Sequence, residues 1–200
     1  MENNPIIWDS ILFQLMTGGQ AIWGNLPQQE QAKRMLIAGG CVRDYMLGLP
    51  YKDIDVFVSL PEGVEFIPPH GWDVDVENQI QPPEIEAYNN INGQIRYIGN
   101  YLGRQAVVDG VQQERPKIQV IVLRHDQDVN EYVDGFDYNL CMGRYGISDD
   151  REGLYIPYTM LNGLQRKRLW TEAPREMTHQ RMAAFLQKIG QFEQGWGLDN

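Results

Sequence analysis

The sequence has very little cysteine and no long apolar run, and each absence excludes a class of protein. Only two of its 200 residues are cysteines, Cys41 and Cys141, so the fold does not rest on a disulfide framework. Neither cysteine has the His or Cys neighbours of a zinc site, and we expect both thiols to be reduced and packed. No apolar stretch approaches the roughly 18 residues of a membrane span, and the first residues are acidic where a signal peptide would be basic. We therefore expect a cytoplasmic protein with no membrane partner.

Positive charge is also scarce. The chain has 17 Lys and Arg against 27 Asp and Glu, a formal net charge of −10. Proteins that bind nucleic acid usually displace counterions from the phosphates with basic surface, so a long DNA duplex is not an expected partner. The densest cationic cluster is formed by Arg166, Lys167 and Arg168. We interpret it as a solvated helix face, with a local contact to RNA as the alternative.

What the sequence does contain is enough apolar residues for a sizeable core, at 42% hydrophobic and 10% aromatic. A glycine pair, Gly39 and Gly40, follows the short apolar run at residues 35–38, which predicts a strand, and precedes residues 42–47, which are compatible with a helix. A glycine turn that opens a helix lets backbone N–H groups approach phosphate oxygens without a Cβ in the way. The pattern therefore indicates a phosphate-binding turn.

Two carboxylates follow this turn on a predicted strand at residues 53–58, which is rich in β-branched residues. Because side chains alternate along a strand, Asp53 and Asp55 should point to the same face. Adjacent carboxylates repel each other, and a divalent cation with a preference for oxygen, Mg²⁺ first, is their natural counterion. The residues between and after them, Ile54, Val56 and Val58, should point into the core.

Residues 39–48 read Gly-Gly-Cys-Val-Arg-Asp-Tyr-Met-Leu-Gly, and a four-residue spacer separates them from Asp-Ile-Asp at 53–55. This stretch resembles the signature Gly-Gly-x-Val-Arg-Asp-x-Leu-Leu-Gly, spacer, Asp-x-Asp of the head domain of class II tRNA nucleotidyltransferases and bacterial poly(A) polymerases, in the DNA polymerase β superfamily. Only Met46 departs from it. The resemblance implies an α/β (α+β) polymerase-β-like nucleotidyltransferase fold, with a mixed central sheet flanked by helices and a C-terminal helical extension.

The same resemblance implies an enzyme that uses Mg²⁺, or Mn²⁺, to move a nucleoside monophosphate from an NTP to an acceptor. Asp53 and Asp55 would be the metal ligands and catalytic residues. Gly39 and Gly40 would bind the triphosphate, and Arg43 would pair with a phosphate or, in a structural role, with an acid. The acceptor, whether an RNA 3′ end, a protein hydroxyl or a small molecule, is not indicated.

Two departures from the family pattern concern a third carboxylate. Aligning Arg124 with the arginine of the family strand Glu-Val-Thr-Thr-Phe-Arg puts Gln119 where a third metal-binding glutamate would be. An amide oxygen adds no negative charge, so this change would weaken metal binding or abolish catalysis. Asp137 lies in a predicted strand, residues 136–142, that loosely resembles the family's ribose-binding Arg-Arg-Asp motif. We predict that Asp137 is a third catalytic carboxylate or a nucleotide contact; the alternative is an aspartate that caps a loop.

The predicted organisation is a nucleotidyltransferase-like catalytic domain at residues 1–150, with an N-terminal helix at 6–16 and an irregular insertion around 60–95. A C-terminal helical extension would occupy residues 151–200. A second Asp-x-Asp pair, Asp73 and Asp75, lacks a preceding glycine turn and is interpreted as part of a solvated edge strand. Two functional hypotheses stay open: an active nucleotidyltransferase, and a non-catalytic relative that binds a nucleotide or a partner.

Overall fold

The computed structural model of this chain describes residues 5–18, 34–79, 94–105, 107–108, 111–112, 114–124, 127–148, 151–171 and 178–199. Within these ranges the helices are α1 (Pro5–Gly18), α2 (Gly40–Met46), α3 (Val129–Asp134), α4 (Tyr158–Arg166) and α5 (Thr178–Ile189). The strands are β1 (Met35–Ala38), β2 (Ile54–Ser59), β3 (Asp73–Val74), β4 (Ile95–Leu102), β5 (Val107–Val108), β6 (Val111–Gln112), β7 (Lys117–Leu123), β8 (Arg144–Ser148), β9 (Arg151–Tyr155), β10 (Arg168–Leu169) and β11 (Gly197–Leu198).

A seven-stranded sheet in the order β3-β4-β7-β2-β1-β8-β9 forms the centre of the molecule. Strands β2 and β7 are parallel, whereas the other neighbouring pairs are antiparallel. Strands β5 and β6 form a separate hairpin, and β10 pairs with β11. The predicted mixed sheet flanked by helices is confirmed.

The two faces of the sheet are covered by different helices, and β2 supplies residues to both. Val56 and its neighbours on the same face are buried in a cluster that includes Trp8 and Leu12 of α1, as the period-two pattern predicts. Phe57 faces the other way, into a second cluster with Val129 and Val133 of α3. Because Asp55 is two residues from Phe57, it belongs to the α3 face of the sheet.

A third apolar cluster attaches α4 and α5 to the sheet domain. Met182, Phe185 and Ile189 line the buried side of α5 and pack with Leu140 and Met160, among others. Cys141 also lies in this cluster, and Cys41 lies in the cluster under α1. Both cysteines are free and buried, as expected.

One feature differs from the sequence-based expectations. The predicted strand at 136–142 is wrong, since a 3₁₀ turn occupies Asn139–Cys141. The side-chain amide of Asn139 forms hydrogen bonds with the backbone of Arg168 and Trp170, and these bonds hold the segment against β10 rather than in the central sheet. The predicted domain boundary after residue 150 lies between the paired strands β8 and β9, and the division into two domains stays a prediction. Residues 80–93 of the expected insertion lie outside the described residues.

None of the described helices is long and apolar enough to cross a membrane.

Candidate active site

The glycine turn between β1 and α2 lies against β2. Gly39 precedes α2 with φ 88° and ψ −141°, a conformation that is essentially restricted to glycine. A Cβ built on Gly39 would lie 3.1 Å from Asp55 Oδ2 and 3.7 Å from the Phe136 ring. The absence of a side chain at Gly39 therefore allows its backbone to approach the Asp55 carboxylate this closely.

Asp53 and Asp55 lie close together at the start of β2, and both are partly exposed. Burial raises the pKa of Asp55 from its ordinary 3.8 to about 8, with repulsion from Asp53 as the next cause. Two crowded carboxylates form a donor set of hard oxygens, which fits a divalent cation such as Mg²⁺. Among the residues that the structure describes, no group of three or more His, Cys, Asp or Glu side chains could hold a metal ion.

Gln119 is the direct neighbour of Asp55 on the adjacent strand. Strands β2 and β7 are parallel, and their register pairs Asp55 with Gln119. On the other side, the β4–β7 register pairs Gln119 with Asn100, and the Gln119 Nε2 donates a hydrogen bond of 3.0 Å to the Asn100 Oδ1. The position predicted for a third metal ligand is thus next to the pair, but an amide occupies it.

Arg43 is held by groups within the protein. Its side chain is 10% exposed and forms an ion pair of 2.7 Å with the Asp44 carboxylate. It also donates to the Tyr138 hydroxyl at 2.5 Å, and its guanidinium lies 4.3 Å from the centroid of the Phe185 ring. These contacts match the structural role that the sequence left open for Arg43, and they occur beside Gly40, whose Cβ would lie 3.5 Å from the Arg43 guanidinium.

Asp137 is buried and is bonded from α5. Its Oδ2 accepts hydrogen bonds from the Thr178 hydroxyl at 3.1 Å and from Arg181 at 2.9 Å. The positive charge of Arg181 also opposes the rise in the pKa of Asp55 that burial and Asp53 cause, so Arg181 acts on the carboxylate pair as well as on Asp137. The structure does not place Asp137 in a metal-binding group with Asp53 and Asp55, and its role as a third carboxylate stays a prediction.

Sequence reasoning assigned no site role to Arg181 or Asn100. Arg181 is one of several basic residues that follow residue 166 in the sequence. Nothing in that pattern indicates that it bonds Asp137, 44 positions earlier. Asn100 has no local signal, because it lies within β4 and comes beside Gln119 only through the pairing of β4 with β7.

The basic cluster at the end of α4 is neutralised by acidic residues near the C-terminus. Arg166 lies 3.1 Å and Arg168 3.6 Å from the Asp199 carboxylate, and Lys167 lies 2.6 Å from the Glu193 carboxylate.

The second Asp-x-Asp pair, at residues 73 and 75, lies in a different environment from the first. Asp73 lies on edge strand β3 and forms an ion pair with Arg115.

Comparison with solved structures gives tRNA nucleotidyltransferase folds. A "tRNA-processing enzyme (apo form I)" matches with a TM-score of 0.52 and 13% identity, over 98% of this chain and 45% of that chain. "The complex structure of CCA-adding enzyme with ATP" matches with a TM-score of 0.50 and 13% identity, over 98% of this chain and 41% of that chain. This chain therefore has the polymerase-β-like nucleotidyltransferase fold and spans less than half the length of those enzymes.

Comparison with family models gives one match, at residues 11–167, to a family described as "Gad2: Gabija anti-defense 2 family protein". This match includes the glycine turn, the carboxylate pair and Gln119, and it ends before α5. A search of curated proteins gives no match.

Proposed function

This chain belongs to the Gabija anti-defense 2 (Gad2) family, and we propose that it is a metal-dependent nucleotidyltransferase that moves a nucleoside monophosphate from an NTP to an acceptor. The observation that carries the proposal is the approach of Gly39 to Asp55, with 3.1 Å between a Cβ on Gly39 and the Asp55 Oδ2. It brings the backbone of a glycine turn, which suits phosphate, directly beside carboxylates that suit a cation.

Each residue then has a distinct task. Asp53 and Asp55 would hold the cation, which when bound would supply charge stabilisation at the reacting phosphate and lower the pKa of the attacking hydroxyl. Gly39 and Gly40 offer backbone amides to the triphosphate. Arg43 orders the start of α2 through Asp44 and Tyr138 and thereby keeps the turn in place.

Asp137 and Arg181 form the link between the pair and α5. Arg181 is bonded to Asp137 and lowers the pKa of Asp55, so it favours the ionised carboxylate that a cation requires. We assign Asp137 to the nucleotide side of the site, where it holds Arg181 in position. The Arg181 side chain is 48% exposed, which leaves it accessible to a phosphate oxygen.

The family description directs the search for the acceptor to the Gabija defence system. The net charge of −10 and the ion pairs that neutralise Arg166 and Arg168 both disfavour an extended nucleic acid and favour a protein hydroxyl or a small molecule. We therefore propose that the acceptor is a component of that system, and that modification of this component is the route to anti-defence activity.

A labelling experiment tests the transfer. The chain is incubated with Mg²⁺ and each α-³²P-labelled NTP, in the presence of RNA, of proteins of the Gabija system and of small metabolites, and label is followed into each pool. Asp55→Asn should reduce transfer by about a thousandfold, because several kcal/mol of charge stabilisation is lost. Asp73→Asn is the matched control, since it removes one exposed carboxylate from the second Asp-x-Asp pair and should leave the rate unchanged.

The second candidate function is a non-catalytic nucleotide binder, and the amide of Gln119 beside Asp55 favours it because one negative charge is missing. Thermal shift with NTP and Mg²⁺ detects binding in either case, since a ligand that binds only the folded state raises the melting temperature. Stabilisation that requires Mg²⁺ and Asp55, together with no labelled product in any pool, would support the binder over the enzyme.

A further inference from the structure

Three polar side chains form a row across the sheet beside the glycine turn. The row runs from Asp55 on β2 to Gln119 on β7 and Asn100 on β4, because these residues are register partners on neighbouring strands. Neighbouring strands lie about 4.8 Å apart, and paired residues point to the same face. All three side chains are partly exposed, so the row forms part of the surface of the site.

Hydrogen bonds fix the direction in which the Gln119 amide points. The Asn100 Nδ2 donates to the backbone carbonyl of Asn78, and since a carbonyl can only accept, the Asn100 Oδ1 is the atom that faces Gln119. That oxygen accepts from the Gln119 Nε2 at 3.0 Å. The Gln119 NH₂ group is therefore turned towards Asn100, which leaves the Oε1 as the atom available to a group on the other side of β7, where β2 carries Asp55.

The consequence is a gap between two acceptors. Once Asp55 is ionised, its carboxylate and an amide oxygen on the neighbouring strand have no proton to share, so they repel unless another donor or a cation lies between them. The relay of hydrogen bonds from Asn78 through Asn100 maintains this arrangement and prevents the amide from rotating to give Asp55 a donor. Oxygen ligands of this kind, both carboxylate and amide carbonyl, are those that hard divalent cations take.

We propose that Gln119 Oε1 is the third ligand of the cation held by Asp53 and Asp55, and that Asn100 is a positioning residue that orients this ligand. The inference rests on the cation site of the proposed function and specifies its composition: two negative charges and one neutral oxygen. The site then binds its metal more weakly than one with three carboxylates, and the strength depends on a hydrogen bond made on the next strand.

Binding of Mn²⁺ alone, measured by electron paramagnetic resonance of the free ion, tests the ligand. Gln119→Leu should weaken Mn²⁺ binding by about tenfold, and Gln119→Glu, which keeps the size and adds a charge, should tighten it by about tenfold. Gln165→Glu, which adds the same charge at an exposed position of α4, is the control and should change the affinity by less than about twofold.

A double-mutant comparison tests the positioning role. A carboxylate has two equivalent oxygens and needs no orientation, so Asn100→Leu should weaken Mn²⁺ binding by about tenfold in the native background and leave it unchanged in the Gln119→Glu background. A merely structural role of Asn100 would produce the same loss in both backgrounds. The melting temperature of each variant without metal, measured in parallel, identifies a variant that fails to fold.

The outcomes separate this inference from the proposed function. If Mn²⁺ binds the native chain and is lost in Asp55→Asn, but Gln119→Leu binds it as tightly as the native chain, the third ligand is wrong and the proposed function stands. If the native chain does not bind Mn²⁺, both are overturned. If Asn100→Leu weakens binding equally in the two backgrounds, the positioning role is wrong.

Discussion

At the scale of single residues, Gly39 carries the strictest steric requirement of the site. Gly39→Ala should destabilise the protein by about 1–3 kcal/mol, because the backbone conformation is unfavourable for any residue with a Cβ, and should also abolish nucleotide binding, because the new methyl group would lie 3.1 Å from Asp55 Oδ2. Urea unfolding and an NTP-dependent thermal shift measure the two effects.

Gly63→Ala is the control for that experiment. Gly63 has φ +74°, and a Cβ there would meet no atom within 4 Å, so the variant introduces backbone strain without a new contact. It should lose stability and retain nucleotide binding. Equal loss of binding in the two variants would mean that strain alone, and not the approach to Asp55, accounts for the Gly39 effect.

Asp55 should make the metal-free protein less stable as the pH rises. Its pKa in the folded protein is about 8, against an ordinary 3.8, so the folded state binds the proton more tightly than the unfolded state. The stability that this proton supplies is complete below pH 4 and is lost as the pH rises to 8.

Asp55→Asn removes this effect, so the variant should melt at a higher temperature than the native chain in EDTA at pH 8, by about 5 °C or more. The difference should shrink towards pH 5. Calorimetry across this range, with Asp73→Asn as the control, measures it. If Asp55→Asn is less stable than the native chain at pH 8, burial does not raise the pKa of Asp55.

At the scale of secondary-structure elements, α5 is joined to α2 by charge as well as by apolar packing. Lys188 Nζ lies 2.6 Å from the Asp44 Oδ2, and the Asp44 side chain is 5% exposed. Lys188→Met keeps the apolar stem and should cost about 1–3 kcal/mol in urea unfolding, because a buried carboxylate loses one of its partners.

Lys167→Met is the comparison at the surface. Lys167 pairs with Glu193, and both side chains are about 40% exposed, so solvent screens the pair and the expected loss of stability is much smaller than for Lys188→Met. Similar costs for the two substitutions would mean that Asp44 does not depend on α5 for its charge balance.

The elements differ in how well the sequence predicts them, for a physical reason. The apolar run at residues 35–38 indicated the strand β1, since the burial of side chains along one element is a local property. The glycine turn and its approach to the carboxylates were also predictable, because turn and strand are adjacent in the chain. The segment at 136–142 was misread as a strand because its backbone is organised by an Asn139 side chain that bonds residues about 30 positions away.

Contacts between distant segments could not be read from local patterns. The pairing of Asp55, Gln119 and Asn100 depends on the register of three strands, and a shift of one residue would turn every side chain to the other face. The bond from Arg181 to Asp137 spans 44 positions and likewise has no local signal. The sequence thus predicted the fold, and the family resemblance pointed to Gln119 near the carboxylate pair, but Asn100 and Arg181 were not predicted.

At the scale of the whole molecule, the net charge of −10 and the pair Asp53 and Asp55 should affect the melting temperature in different salts in ways that can be separated. NaCl should raise the melting temperature modestly, because it screens repulsion among the acidic groups. If Mg²⁺ binds at the carboxylate pair as proposed, MgCl₂ at the same ionic strength should raise it further, because a ligand that binds only the folded state stabilises it. The excess of MgCl₂ over NaCl should disappear in Asp55→Asn, and an excess that persists would place the bound Mg²⁺ elsewhere.

The two buried cysteines can be used to measure how often the structure around each of them opens. Both thiols are buried, and burial also raises their pKa, so an alkylating reagent reacts with them only after the structure around them has opened. Cys41 follows the glycine turn, whereas Cys141 lies where α5 packs on the rest of the protein. Mass spectrometry of the two alkylated peptides over time would therefore give a separate opening rate for each region of the same unmodified chain.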